Sequence, residues 1–238
     1  MVKNWVEYWN REEAMSGDFW QAQADFFVRR IRRELDFDSS GSLLDIGCGR
    51  GHVAAALAPL LRETHGADTS ALGIEEARKV YADVPNLFFH HLDPAAYLEV
   101  DRLPVRGLNF IFCISVVQYY KNIGEVQKLI GNAKKIVAPG GVLLLADLLI
   151  DYKLCLDIAG VLLGGLESGT FFAKLAEVFS GKHNLYARIR SENPVLTLRR
   201  GELEAVCAAE NTRLRFIRQN LTGNRFRAHA LIELLPGT

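Results

Sequence analysis

The sequence predicts an α/β fold: a doubly wound, mostly parallel seven-stranded sheet with helices on both faces and a helical insertion before the last two strands. Three observations predict it. From residue 42 to residue 148, short apolar runs alternate with helix-spaced segments, the rhythm of parallel strands joined by crossover helices. Directly after the first apolar run stand Gly47, Gly49 and Gly51, where a strand has to turn tightly into a helix. Residues 199–235 instead read as helix, strand, turn and strand, a hairpin-like ending.

Each element follows from local pattern. DFWQAQADFFVRRIRREL (18–35) places Phe19, Ala22, Phe26, Ile31 and Leu35 at roughly helical spacing, with arginines alongside. Ser42–Gly47 is a short apolar run that suits a buried parallel strand. A helix is expected over His52–Arg62, a strand over THGAD (64–68), a helix over Ala71–Asp83 and a strand over Leu87–His91. Leu108–Ser115 is the fourth strand and Glu125–Val137 an amphipathic helix, after which Pro139-Gly140-Gly141 turns the chain into the strand VLLLADL. Residues 151–195 read as two helices around a glycine-rich break, more chain than a crossover needs, and such surplus becomes a lid or substrate wall. Arg199–Asn211 is a helix, and the strands Leu214–Gln219 and Arg225–Leu235 follow. One domain is therefore expected: residues 1–150 hold N-terminal helices and the first half, 151–195 the insertion, and 196–238 the closing helix and strand pair.

Composition narrows the function. Among 238 residues, Lys plus Arg (28) equals Asp plus Glu (28), so no global charge steers the protein toward nucleic acid or an anionic membrane. Cys48, Cys113, Cys155 and Cys207 are far apart, with no CxxC pair, and read as reduced thiols. The opening MVKNWVEYWNREE lacks a signal-peptide core, and the apolar stretch Val142–Gly165 is interrupted by Asp147, Asp151, Lys153 and Asp157. These features lead to the expectation of a cytoplasmic monomer or homodimer with a small-molecule substrate and neither nucleic acid nor membrane as partner.

The glycine turn calls for a ligand without phosphate. A dinucleotide fingerprint needs glycine where His52 stands, and no GKS or GKT makes a P-loop. Asp45, just before the turn, would repel a phosphate and welcome a cation.

LLDIGCGRG, from Leu43, resembles the first motif of the class I S-adenosylmethionine-dependent methyltransferases, a strand followed by acidic-x-Gly-x-Gly-x-Gly. The resemblance continues in register. THGADTSALGIEEAR looks like the family's second strand, ending at Asp68, and FFHHLDPAAY like its third-strand turn, with Asp93. NFIFCISVVQYY and KKIVAPGGVLLLADL resemble its fourth and fifth strands, so the likeness runs from Leu43 to about Leu148. It implies S-adenosylmethionine as cofactor and S-adenosylhomocysteine as product. Gly47, Cys48, Gly49 and Gly51 would let the backbone approach the amino acid and ribose portions. Asp68 would accept both ribose hydroxyls through its two oxygens, and Asp45 would face the methionine ammonium. Asp93 would accept from the adenine amine with Leu92 against the ring, although a helix cap suits Asp93 nearly as well. Thr69 joins the set beside Asp68 and, with Ser70, also sits where a helix cap is needed; Cys113 flanks the site as a small buried residue. Trp5, Tyr8 and Trp9 are too many aromatics for a free tail. An N-terminal helix folds over the cofactor in related enzymes, which would bring Tyr8 or Trp9 to the site, unless they pack only on the insertion. Two positions depart from the family: Asn109 replaces a common Asp, and Tyr119 stands where many members carry His.

The implied chemistry is an in-line, metal-independent displacement at carbon, with an oxygen, nitrogen or carbon acceptor. A base is needed only if the acceptor loses a proton. Of His90, His91, His183 and His229, His183 is the candidate because it falls in the insertion; a surface-loop histidine is its plain alternative. Tyr119 would act as a hydrogen-bonding wall near the transferred methyl. Asp147 has no evident companions for a metal, and no Asn/Asp-Pro-Pro-Tyr follows the fourth strand. Competing readings are a protein or RNA methyltransferase docking through Arg188, Arg190, Arg199 and Arg200, and a methyltransferase-like module that binds without catalysing.

Overall fold

A computed structural model describes residues 4–11, 18–151, 153, 159, 160, 163 and 188–235. Among the described residues, helices α1 (Trp5–Trp9) and α2 (Asp18–Ile31) precede β1 (Ser42–Ile46), α3 (His52–Leu57), β2 (Glu63–Asp68), α4 (Ala71–Val80) and β3 (Leu87–His91). Then come β4 (Leu108–Ile114), α5 (Ile123–Ala133), β5 (Val137–Leu148), α6 (Arg200–Ala209), β6 (Arg213–Ile217) and β7 (Ala228–Glu233). The strands form one seven-stranded sheet in the order β3-β2-β1-β4-β5-β7-β6, and only β7 runs against its neighbours. Strand order reverses between β1 and β4, the switch point beside which α/β sheets bind ligands.

Burial on both faces explains the apolar runs. Leu43 packs with Phe27, Ile31, Leu57, Phe112 and Leu144 beneath α2 and α3, whereas Leu44 and Ile46 belong to the opposite layer with Val126, Leu129, Ile130 and Leu203 of α5 and α6. Each fully buried Leu or Ile contributes roughly 1.5–3 kcal/mol. Asn109 holds the first strand in place: its Oδ1 accepts from the Ser42 backbone N–H at 3.0 Å and from the Ser42 hydroxyl at 3.3 Å.

Several expected boundaries move for identifiable reasons. The helix from His52 stops at Leu57 and tightens into a 3-10 turn over Ala58–Leu60, because Pro59 has no N–H to continue the ladder. The helix expected to reach Asp83 ends at Val80, and the one expected to reach Val137 ends at Ala133. Pro139-Gly140-Gly141 does not separate helix from strand. It is a bulge inside β5, where the register jumps from Leu108–Val137 to Phe110–Val142. Gly140 has φ +78°, and a Cβ on Gly141 would stand 2.3 Å from Val137 and 2.8 Å from the Leu108 carbonyl, so the bulge needs both glycines. The proposed insertion, 151–195, lies largely outside the described residues. Among the described residues no helix is long and apolar enough to cross a membrane.

Candidate active site

The turn after β1 takes its shape from three left-handed residues, Gly47 (φ +75°), Gly49 (φ +55°) and Gly51 (φ +80°), a conformation that costs any residue with a Cβ. The Gly47 and Cys48 N–H groups donate to the Ala67 carbonyl at 2.7 and 3.2 Å, which ties the turn to β2. The space expected to receive a ligand is partly filled by protein. A Cβ on Gly47 would lie 2.2 Å from Val116 Cγ2, and one on Gly51 2.4 Å from the Phe89 ring. These two glycines are therefore required by close packing, and what they offer a ligand is backbone.

Gly49 points the other way, its N–H donating to Asp68 Oδ2 at 2.8 Å. Asp68 Oδ1 accepts from the Ser70 N–H at 2.7 Å. Both carboxylate oxygens are thus fixed, each keeping a further lone pair for a hydroxyl. Burial raises the Asp68 pKa, and the backbone bonds from Ser70 and Gly49 pull it back. The cap of α4 is Ser70, whose Oγ accepts from the Gly73 N–H at 3.1 Å. Thr69 is half-buried beside Asp68, and its carbonyl lies 3.3 Å from His91 Nε2.

Asp45 is 3% exposed, and among the described residues no hydrogen-bond donor reaches its carboxylate. Burial, and then the neighbouring Asp68 charge, push its pKa up to about 8. An unpaired carboxylate is costly in such a place, and a cation held over the turn would offset that cost. This orphaned acid is what fits the site to a positively charged ligand.

The remaining candidates have varied surroundings. Leu92 is 6% exposed and packs in the core with Ile46 and Ala67; its N–H donates to the Asp68 carbonyl at 2.8 Å. That bond places Leu92 directly beside the Asp68 loop. Asp93 is exposed and its Oδ1 accepts from the Ala95 N–H at 2.8 Å, the turn-capping role. Cys113 is buried 3.8 Å from the Tyr120 hydroxyl, and burial pushes its thiol up to about 12. Cys48 packs against Gly66, where a Cβ would lie 2.8 Å from its sulfur; burial, then Asp68 and Asp45, raise its pKa. Neither thiol is poised to react.

The N-terminal aromatics come to the sheet rim. Trp5 and Trp9 rings lie 4.7 and 6.0 Å from that of Tyr119, just beyond β4. Tyr8 meets Trp5 and Trp9 edge-on at 6.0 and 5.0 Å. The Ser70 hydroxyl faces the Trp9 carbonyl and Asn10 Oδ1 at 3.3 and 3.2 Å. One helix is thereby fastened both to the Asp68 loop and to Tyr119.

A group that the sequence did not reveal gathers at the ends of β4 and β5. Ser115 (φ +58°) and Asp147 (φ +65°) are both left-handed without being glycine. Asp147 is held by two hydroxyls: Oδ2 accepts from that of Ser115 at 2.8 Å and Oδ1 from that of Thr222 at 3.0 Å. Gln118 donates to the Ser115 carbonyl at 3.1 Å and accepts from Arg227 at 3.0 Å. His229, 1% exposed, sits between the backbone N–H groups of Asp147 and Leu221, 3.2 and 3.1 Å away. A neutral ring can accept at one nitrogen and a protonated ring at neither, and burial lowers its pKa to about 4. It is structural. His90 lies 3.0 Å from His65, which pairs with Glu63 on the outer strands, and His183 lies outside the described residues. Of the arginines considered for docking, Arg188 faces Glu192, Arg199 pairs with Glu202 and Arg200 lies over the Phe216 ring.

Comparison with known proteins agrees with this geometry. Residues 19–232 match a family described as a methyltransferase domain. A nonribosomal peptide synthetase, CymA of Salinispora arenicola, is 29% identical over 128 residues, 54% of this chain and 2% of that protein. The ubiquinone biosynthesis O-methyltransferase of Rickettsia typhi is 26% identical over 163 residues, 65% of this chain and 63% of that enzyme. The matched region thus spans less than two thirds of either relative. The crystal structure of magnesium protoporphyrin IX methyltransferase from Synechocystis, with bound S-adenosylhomocysteine, shares the fold at a TM-score of 0.53 and 17% identity, over 90% of this chain and 81% of that one. With its family match, its strand order and a cation-seeking acid under a glycine turn, the chain belongs to the methyltransferase-domain family, among the class I S-adenosylmethionine-dependent methyltransferases.

Proposed function

We propose that the protein moves a methyl group from S-adenosylmethionine to a small-molecule acceptor by in-line displacement, working in the cytoplasm as a monomer or homodimer. The observation that carries this reading is the pair of acids at neighbouring strand ends: Asp45, buried and without a donor, and Asp68, held by two backbone N–H groups. In this reading Asp45 faces the cationic methionine portion. Asp68 accepts the ribose hydroxyls, and the Gly47–Gly51 backbone and Thr69 line the space between them. When bound, the cofactor supplies a methyl group made electrophilic by positive sulfur. The protein's own task is to align that methyl with the acceptor and exclude water. In this reading helix α1 covers the site: its Trp5 and Trp9 rings pack against Tyr119, its Trp9 carbonyl accepts from Ser70, and Tyr8 belongs to the same aromatic group. The relatives' names support a small acceptor, and the neutral net charge supports it against a polyanion.

Calorimetry with S-adenosylhomocysteine tests the reading. The protein binds it, and Asp68→Ala weakens binding by about tenfold or more, the loss expected when two charge-assisted hydrogen bonds disappear. No affinity in the unaltered protein, or equal affinity in the variant, overturns the assignment.

A further inference from the structure

The cofactor set leaves the β4–β5 end of the rim without a role, and its side chains are suited to the second substrate. We propose that Asp147 is the acceptor-binding carboxylate: it takes a hydrogen bond from the O–H or N–H of a phenol or amine, and then the proton, as the methyl arrives. The inference rests on the methyl-transfer reading.

Position comes first. Val116 abuts the glycine turn closely enough to forbid a Cβ at Gly47. Ser115 precedes Val116, and its hydroxyl holds Asp147 at 2.8 Å. Asp147 is therefore two short contacts from the turn, on the side of the switch point away from Asp68. The backbone adds a second observation. Both Ser115 and Asp147 adopt positive φ, which for such residues costs of order 1–3 kcal/mol and tends to be kept where side chains must be aimed for function. The partners add a third. Asp147 is half-buried; among the described residues its carboxylate oxygens accept from the hydroxyls of Ser115 and Thr222, and its backbone carbonyl lies 3.5 Å from Arg227 Nη1. Among the described residues no Lys, Arg or His forms a salt bridge with its carboxylate. Two hydroxyls orient a carboxylate without neutralising it, and each oxygen retains a lone pair for a donor on a ligand. Thr222 meets Asp147 and Arg227 reaches Gln118, both from the segment before β7.

The step balances. The acceptor's lone pair forms the new bond to the methyl carbon while the sulfur–methyl bond breaks and leaves its electron pair on sulfur. The acceptor's proton passes to an Asp147 oxygen and from there to water. A carboxylate can only accept, so this arrangement selects acceptors that bring a proton to give.

The test needs no knowledge of the natural acceptor. Sinefungin replaces the methyl-bearing sulfur by a carbon bearing an amine, so its ammonium marks the direction of methyl transfer. Affinities for sinefungin and S-adenosylhomocysteine are measured by calorimetry in the unaltered protein and in Asp147→Asn. The expected result is a loss of about tenfold for sinefungin, from removal of a nearby opposite charge, with S-adenosylhomocysteine unchanged. An unchanged ratio of the two affinities overturns the proposal and leaves Asp147 as a fastening between β4 and the segment before β7. A crystal structure of the unaltered protein with sinefungin gives an independent reading should the variant not fold. An ammonium facing the Asp147 carboxylate supports the proposal, and a wall of side chains between them overturns it. If the unaltered protein binds neither compound, the methyl-transfer reading itself fails, a result distinct from an unchanged ratio.

Discussion

The turn after β1 and the ends of β4 and β5 both route the backbone through left-handed φ, the first with Gly47, Gly49 and Gly51, the second with Ser115 and Asp147. At the glycine turn the absence of side chains is itself used. Val116 and Phe89 occupy the places where Cβ atoms would stand, and the Gly49 N–H is left to fix Asp68. At the other strand ends side chains are retained, and their hydrogen bonds to each other and to Thr222 offset the conformational cost. One end is specified by what is missing and the other by what is kept.

The most disruptive way to probe the contrast is Gly47→Val. It sets a branched side chain at φ +75° with its Cβ 2.2 Å from Val116. The expected loss is about 3 kcal/mol or more of unfolding free energy, measured by urea denaturation; a loss below about 1 kcal/mol would show that the turn can relax around a side chain. A second experiment sharpens the electrostatic side. Free Asp45 keeps its proton until about pH 8, whereas a bound ammonium favours the ionised form. The complex therefore holds fewer protons than the free protein. Affinity for S-adenosylhomocysteine should rise with pH by up to about tenfold per unit below 8, with about one proton released per ligand near pH 7. Calorimetry in two buffers of different ionisation enthalpy measures that proton, and none released would refute the linkage. The gentlest change is Asn109→Asp, which restores the family's usual residue. Of the Asn109 side chain, Ser42 uses only the acceptor Oδ1, and its hydroxyl also reaches the Gly107 carbonyl at 3.2 Å, so the carboxylate should serve as well, and stability should shift by less than about 1 kcal/mol in thermal unfolding.

The same contrast explains what could be read in advance. The alternation of strands and helices and the glycine turn were legible because periodicity and glycine spacing are local signals, and Asp45 and Asp68 could be singled out by their place relative to that turn. The helix boundary at Leu57 was missed although Pro59 marks it. The Pro139-Gly140-Gly141 bulge was taken for a turn because the same residues serve both, and only pairing with β4 decides. Ser115, Asp147 and Thr222 were invisible as a group. Each is an ordinary polar residue, and they meet only after β5 and the segment before β7 lie side by side.

The placement of β7 between β5 and β6 has a consequence for biogenesis. Residues up to about 150 supply five consecutive strands and the whole glycine turn, yet β5 gains its outer neighbour only from residues 228–233. Until the ribosome has added residues 213–233, the nascent chain carries an open strand edge, the kind that pairs with strangers. Thr222 and His229 also arrive in that stretch. The half that would hold the nucleoside is thus complete in sequence before Asp147 has the partners that hold it.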